Sequence, residues 1–254
     1  MAKKRIIILG AGLTGLSAAW HLQKRGADCL VFEKEPEVGG LCRSRERGGF
    51  TFDCDGHLLH FRRRYAFRLI KGLLAGNLAE HRRDARVYSH ARYIRYPFQA
   101  NLNQLPPAAA GECLLGFLKA RMNGHPKSKK AKSFLDWIER TFGSGIARHF
   151  MVPYNTKFWT LPPQRLTCDW LDGFIPVPSL EEVVRGASYD SIAHFGYNAR
   201  FWYPKRGGIC ALAFAFSDQI RNIHTGCRVT RIDINRKQVI LDSGDREKFD
   251  VLIS

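Results

Sequence analysis

The chain has 254 residues, of which 45% are hydrophobic and 25% are charged. This composition excludes a wholly disordered chain, a collagen-like chain and a small disulfide-stapled domain. The length predicts one large domain or two interleaved ones. Forty Lys and Arg against 23 Asp and Glu give a net charge of +17, which suits nucleic acid, an anionic membrane surface or a phosphorylated small molecule as the partner.

The N-terminus and the cysteines predict a cytoplasmic protein. Only four consecutive apolar residues, 6–9, precede Gly10, whereas a secretory signal needs a run of roughly 7–15. The sequence has seven cysteines and no CxxC pair, which favours reduced thiols. We expect no metal site, because no Cys/His cluster has ligand spacing, and no transmembrane span, because no apolar run approaches about 18 residues.

The first 34 residues carry a nucleotide-binding motif. An apolar strand over 6–9 leads into Gly-x-Gly-x-x-Gly, a helical pattern up to Lys24, and a second apolar strand over 29–32 that ends in Glu33. In such a unit the glycines admit a pyrophosphate at the helix N-terminus, and the acid accepts hydrogen bonds from ribose hydroxyls, which disfavours a 2′-phosphate. The predicted cofactor-binding residues here are Gly10, Gly12, Leu13, Thr14, Gly15, Glu33 and Lys34.

A second glycine motif, residues 39–43, resembles the second pyrophosphate motif of FAD-binding proteins such as amine oxidases, phytoene desaturases, protoporphyrinogen oxidases and UDP-galactopyranose mutases. The resemblance implies FAD and an α/β fold with a GR2-like Rossmann-type FAD-binding domain built on a parallel sheet. It also implies that His57 contacts the flavin as a catalytic residue and that the Val229 backbone contacts the adenine. The further cofactor-binding residues implied are Gly39, Gly40, Leu41, Arg43 and Gly56.

The middle of the chain predicts an inserted, mostly α-helical substrate domain over residues 87–203, between two parts of the FAD-binding domain, 1–86 and 204–254. The patterns predict a helix over 62–86, a hairpin over 87–98, a helix capped by Ser133 and a helix over 209–223. We expect the basic stretch 123–132 to be an exposed loop.

Five ordered segments resemble the eukaryotic-type UDP-galactopyranose mutases; they are residues 96–99, 132–138, 143–147, 153–159 and 201–208. The resemblance implies that Gln99, Asn155 and Trp159 line the nucleotide side of a substrate pocket, with Tyr203 also binding substrate. Arg206 is implied to hold a substrate phosphate near the flavin, as a catalytic residue. Gly207 and Gly208 are implied to lie beside the flavin edge.

One position departs from the mutases, which clamp the substrate diphosphate with two arginines. Phe174 stands where the second arginine is expected. Loss of one charge-assisted clamp costs roughly 2–4 kcal/mol of binding. Arg165, Arg185 and Arg200 are nearby replacements.

The sequence therefore predicts an FAD-dependent enzyme that acts on an anionic substrate, a nucleotide sugar, in cell-surface polysaccharide or lipopolysaccharide biosynthesis. Two alternatives stay open: hydride abstraction of the amine oxidase, protoporphyrinogen oxidase or desaturase type, and a catalytically silent paralogue. No nucleic-acid-binding signature is present, and peripheral membrane contact is a further alternative. The resembled families continue beyond the last strand, so we expect a C-terminal part of the FAD site to be missing; the sequence does not indicate the oligomeric state.

Overall fold

The structure, a computed structural model, describes residues 4–123, 131–171, 174–189 and 200–254, which contain both strands and helices. In the first half the elements are β1 Ile6–Leu9, α1 Leu13–Lys24, β2 Cys29–Phe32, β3 Ser44–Arg47, β4 Phe50–Asp53, α2 Arg64–Leu73, β5 Ala79–Arg82, β6 Arg86–Ser89, β7 Arg92–Arg95 and α3 Pro107–Met122. They continue with α4 Phe134–Ile146, α5 Val152–Trp159, α6 Leu180–Ser188, β8 Arg200–Tyr203, α7 Cys210–Ser217, β9 Ile223–His224, β10 Val229–Asp233, β11 Gln238–Leu241, β12 Arg246–Lys248 and β13 Val251–Ile253.

The chain divides into two compact units, residues 1–81 with 201–254 and residues 82–200. These boundaries differ by three to five residues from the domain limits predicted above. The first unit is discontinuous because the second is inserted between its parts. Most of the stretch predicted to be a basic loop, residues 124–130, lies outside the described residues.

A parallel sheet with the strand order β13-β1-β2-β9 forms the centre of the first unit. Strand β1 is buried at Ile6, Ile7 and Ile8, as expected for a parallel strand covered on both faces. Helix α1 buries Leu16 and Ala19 against the sheet, together with α7. This arrangement confirms the predicted α/β, Rossmann-type fold.

The second unit is mainly helical, and its core lies where α3 and α4 cross. At Gly145 a Cβ atom would lie 2.2 Å from the carbonyl oxygen of Glu112, so the two helix backbones touch. Ser133 caps α4 as predicted, because its hydroxyl accepts a hydrogen bond from the Asp136 N–H at 3.2 Å. The fully buried aromatic residues of this core are Phe98, Phe117, Phe134 and Phe142.

Two predicted helices are too long. The pattern over 62–86 forms a helix only to Leu73, because Ala75 and Gly76 both adopt positive φ and turn the chain into β5. The helix expected over 209–223 ends at Ser217. No helix in the described part of the chain is long and apolar enough to cross a membrane.

Candidate functional site

The first glycine motif forms a tight turn between β1 and α1. Gly10 has φ +94°, a conformation that side chains other than glycine rarely adopt. A Cβ atom on Gly15 would lie 1.9 Å from the Gly10 carbonyl oxygen, so only glycine fits there. Gly12 precedes α1, whose first residues are Leu13 and Thr14.

No side-chain acceptor occupies the free N–H groups at the start of helix α1. No side chain caps its N-terminus, and its first turn contains no acidic residue. Its free N–H groups and its dipole therefore favour an anion at this end. This feature fits the pyrophosphate that the motif predicts.

The second glycine motif lies directly beside the first. The Gly39 N–H donates to the Ala11 carbonyl oxygen at 2.8 Å, and Gly39 forms a parallel bridge with Gly12. A Cβ atom on Gly40 would lie 3.2 Å from the Gly12 Cα, a very close contact. Gly12 and Gly39 are 27 residues apart in sequence, yet the fold brings their backbones into contact at a place where neither residue has a side chain.

Glu33 is held rigidly at the end of β2. It is 6% exposed, and its Oε2 accepts from the Ala11 N–H at 2.6 Å while its Oε1 accepts from the Glu35 N–H at 2.9 Å. Each carboxylate oxygen has a further lone pair for a ligand hydroxyl. Lys34 and Leu41, by contrast, are exposed.

Arg43 supports the second glycine motif. Its Nε donates to the Gly40 carbonyl oxygen at 2.9 Å, and its Nη1 lies 3.4 Å from a carboxylate oxygen of Glu35. Arg43 therefore fixes the loop and also brings positive charge to it.

Asp53, at the end of β4, connects three separate segments of the first unit, one of which contains the predicted site residue Tyr203. Its carboxylate accepts hydrogen bonds from the Ser44 hydroxyl at 2.6 Å, the Tyr203 hydroxyl at 2.5 Å and the Ile209 N–H at 3.1 Å. Burial alone would raise the pKa of Asp53, but these hydrogen bonds and the nearby His57 together lower it. Burial and the bond to Asp53 raise the pKa of Tyr203, so this hydroxyl remains a donor.

His57 follows Gly56 in the next loop, where its Nδ1 lies 2.8 Å from the Asp55 carbonyl oxygen. A carbonyl only accepts, so Nδ1 carries the proton and Nε2 of the neutral ring is an acceptor. Val229 begins β10 in the same unit.

Residues 206–210, which we call the Arg206 loop, follow β8 and end with the first residue of α7. Gly207 and Gly208 both have positive φ, at 82° and 65°. Within the described residues, neither of their N–H groups has an acceptor. Because Gly208 is buried, its unpaired N–H suits donation of a hydrogen bond to a ligand such as a flavin.

The second unit contains a pocket of about 520 Å³ that brings together Gln99, Asn155 and Trp159, all three predicted to line a substrate pocket. Tyr203 and Arg206 belong to the first unit. The other lining residues are Arg83, Tyr96, Phe150, Met151, Tyr154, Phe158, Trp170, Phe174, Ile175 and Pro176.

One wall of this pocket is a series of aromatic rings on and after the π-helical turn Ala147–Met151, which leads into α5. Tyr154 and Phe158 stack with their centroids 6.0 Å apart, and Trp159 lies 4.9 Å from Phe158 and 5.2 Å from Trp170. Trp159 is 40% exposed, so it presents ring surface to the pocket instead of filling the core.

The polar groups of the pocket are few and fixed. The Nε2 of Gln99 donates to the Pro176 carbonyl oxygen at 2.6 Å, which leaves Oε1 as a buried acceptor with no partner in the described part of the structure. The Nδ2 of Asn155 donates to the Met151 carbonyl oxygen at 2.7 Å. Such a buried acceptor is expected to receive an N–H or O–H from a ligand.

The expected replacements for the missing arginine do not reach this pocket. Phe174 lines it, whereas Arg165, Arg185 and Arg200 do not. Among the described residues, the cation that lines the pocket is Arg83, whose guanidinium carbon lies 5.4 Å from the centre of the Tyr96 ring.

The sequence reasoning did not assign Arg83, Tyr154, Phe158 or Trp170 to a site. For Tyr154 and Phe158 a signal existed, because the i, i+4 spacing puts them on one helix face. No pattern in the sequence marks Arg83.

Residues 13–254 match the family described as flavin containing amine oxidoreductase. The chain belongs to this family. Its cofactor is FAD, for which the paired glycine motifs, Glu33 and the uncapped start of α1 form a suitable cradle. The description of the family as an oxidoreductase agrees with the prediction of an enzyme.

Among solved structures, a reduced UDP-galactopyranose mutase is 29% identical with a TM-score of 0.90, over 98% of this chain and 54% of that one. A putrescine oxidase, at 19% identity and a TM-score of 0.63, covers 99% of this chain and 57% of its own and shares the fold.

Among curated proteins, 4,4′-diaponeurosporene oxygenase of Staphylococcus aureus (strain bovine RF122 / ET3-1) is 26% identical over 99% of this chain and 55% of its own length. The present chain thus spans about half the length of these relatives, although nearly all of its own residues match them.

Proposed function

We propose that the protein is an FAD-dependent, mutase-like enzyme that binds a nucleoside-diphosphate sugar and acts in cell-surface polysaccharide or lipopolysaccharide biosynthesis. The observation that carries this proposal is the pocket of the second unit, which unites Gln99, Asn155 and Trp159 with an aromatic wall. The 29% identity to a UDP-galactopyranose mutase supports the same substrate class.

The pocket has the chemistry of a base-binding site. The ring faces of Tyr154, Phe158 and Trp159 suit a planar heterocycle, which stacks on aromatic rings. The orphaned Oε1 of Gln99 would accept a hydrogen bond from a ring N–H, such as that of uracil. An apolar lining with a few fixed polar groups is typical of small-molecule sites.

Each unit carries an arginine whose charge suits a phosphate group. Arg83 lines the pocket of the second unit. In the first unit, the exposed guanidinium of Arg206 makes no hydrogen bond or ion pair within the described residues. When bound, FAD would supply either a nucleophilic reduced ring or a hydride acceptor.

Phe174 favours a second candidate, oxidation of a more apolar substrate by hydride transfer. It places a 45% exposed aromatic ring at the pocket where the mutases carry a cation. The similarity to a diaponeurosporene oxygenase agrees with such a substrate.

Two measurements separate these candidates. The purified protein, reconstituted with FAD, is mixed with UDP-galactopyranose before and after dithionite reduction, and furanose formation is followed by chromatography. Product only after reduction supports the mutase-like function. Flavin bleaching by an anaerobic polyene or amine, with no furanose formed, supports the hydride-transfer candidate instead.

UDP binding tests the pocket itself. Tyr154→Ala is expected to weaken UDP binding about fivefold, because a stacking ring contributes roughly 1 kcal/mol. Tyr93→Ala is the matched control, since Tyr93 is also exposed but lines no part of this pocket. Equal affinities for the two variants would refute the assignment of the pocket.

A further inference from the structure

The Arg206 loop lacks the regular backbone hydrogen bonding of the elements on either side. Two successive glycines with positive φ, Gly207 and Gly208, prevent a helix or strand from running through it. Three of its N–H groups are bonded in the described structure, those of Arg206, Ile209 and Cys210, and each donates to a side chain. The conformation of the loop is therefore set by side chains from elsewhere in the sequence.

Asn77 holds the first residue of the loop. Its Oδ1 accepts from the Arg206 N–H at 3.0 Å, and its Nδ2 donates to the Arg206 carbonyl oxygen at 3.0 Å. One amide side chain thus satisfies both backbone groups of Arg206, as a neighbouring strand would. This pairing restricts the direction in which the Arg206 side chain leaves the backbone.

Asp53 and Ser44 hold the other end. Asp53 accepts from the Ile209 N–H at 3.1 Å, and the Ser44 hydroxyl oxygen accepts from the Cys210 N–H at 3.1 Å. A Cβ atom on Gly208 would lie 2.4 Å from the Ser44 hydroxyl oxygen and 2.8 Å from an Asp53 carboxylate oxygen. The absence of a side chain at 208 lets these two groups approach the loop.

We propose that Asn77 is a positioning residue for Arg206, with Asp53 and Ser44 fixing the opposite end of the loop. The loop presents an unpaired guanidinium on a backbone whose geometry is set before any ligand binds. Preorganisation of this kind strengthens an interaction by removing the cost of ordering the group on binding. The proposal rests on the proposed function only in taking a nucleoside diphosphate as the ligand of Arg206.

A double-mutant cycle tests whether Asn77 acts through Arg206. The dissociation constant of UDP is measured by calorimetry on the FAD-loaded protein and on Asn77→Ala, Arg206→Ala and the double variant. We expect each single variant to bind UDP at least tenfold more weakly, and the double variant to bind no more weakly than Arg206→Ala. Multiplied losses in the double variant would overturn the proposal, because independent effects add in free energy.

Amide hydrogen exchange tests the two hydrogen bonds between Asn77 and the Arg206 backbone without any substrate. In Asn77→Ala the Arg206 amide is expected to exchange at least tenfold faster, while the Cys210 amide is unchanged. Asn235→Ala is the control, because Asn235 lies in an exposed turn and makes no side-chain hydrogen bond within the described residues. If Asn77→Ala does not fold, Asn77→Leu keeps its volume without its polar atoms.

The two readouts distinguish the possible failures. One result is that UDP binds neither the parent protein nor any variant, while Asn77→Ala still speeds exchange of the Arg206 amide. In that case the proposed ligand is wrong, and the positioning role of Asn77 is supported. If exchange at Arg206 does not respond, Asn77 does not position the loop.

Discussion

Replacing Asp53 by Asn tests how strongly one carboxylate stabilises the first unit. Asp53 accepts three hydrogen bonds, from Ser44, Tyr203 and Ile209. A hydrogen bond to a charged group contributes about 1 kcal/mol more than a neutral one, which gives roughly 3 kcal/mol for three. Asp53 is only partly buried, so solvent screening reduces this to about 2 kcal/mol.

The pH dependence of this loss has a defined sign. The pKa of Asp53 is lowered in the folded protein, so its stabilisation is fully present above the unfolded value of about 4 and is lost as the pH falls through the folded value. Asp53→Asn should therefore unfold about 2 kcal/mol more easily than the parent at pH 7, and the difference should shrink below about pH 4.

Urea unfolding, followed by fluorescence between pH 3 and pH 8, measures both quantities. Asp242→Asn is the matched control, because Asp242 is exposed and its side chain makes no hydrogen bond in the described structure. A loss below about 0.5 kcal/mol at pH 7, comparable to an ordinary surface substitution, would refute the role of Asp53. A difference that persists unchanged at pH 3 would show that the charge is not its source.

Three further predictions concern the cofactor cradle, the pocket and the thiols. Gly15→Val should abolish the flavin absorbance band of the purified protein, because even a Cβ atom would lie 1.9 Å from the Gly10 carbonyl oxygen; yellow protein of parental stoichiometry would contradict this. Trp159→Ala should weaken UDP binding about tenfold and leave FAD affinity unchanged, as measured by calorimetry; an equal loss of FAD would place Trp159 elsewhere. A thiol reagent should modify exposed Cys54 in the native protein but reach Cys113 only on unfolding, since burial raises the pKa of Cys113 to about 12; rapid native labelling of Cys113 would exclude this packing.

The sequence predicted the β1-α1-β2 unit because its signals are local. Residues 6–9 and 29–32 are uninterrupted apolar runs, and both strands have these bounds. Such runs favour buried parallel strands whatever the distant chain does.

The helical spacing of apolar residues led to a wrong prediction after Leu73, because the turn there keeps the same spacing. Leu74 and Leu78 continue the pattern of α2 and are both buried, yet Ala75 and Gly76 turn the chain between them. Burial sets the spacing of apolar residues, but backbone dihedrals decide whether the segment is a helix.

The site was predictable in part, for a physical reason. Gly10, Gly15 and Glu33 could be predicted from the sequence because the demands of a dinucleotide on the backbone leave a motif of fixed spacing. The pocket around Gln99 could be inferred only by resemblance, because its residues come from separate segments that only the fold brings together.

The hydrogen bonds around Asp53 could not be predicted from the neighbouring sequence. Alternation at residues 50–53 predicts a strand and says nothing of a carboxylate that bonds Tyr203 and Ile209, 150 and 156 residues away. Asp53 reaches these partners because β3 and β4 pass close to the Arg206 loop, and the absence of a side chain at Gly208 permits this approach. Gly208, which the resemblance to the mutases places beside the flavin, therefore makes room for a protein carboxylate, a role that no motif in the sequence indicates.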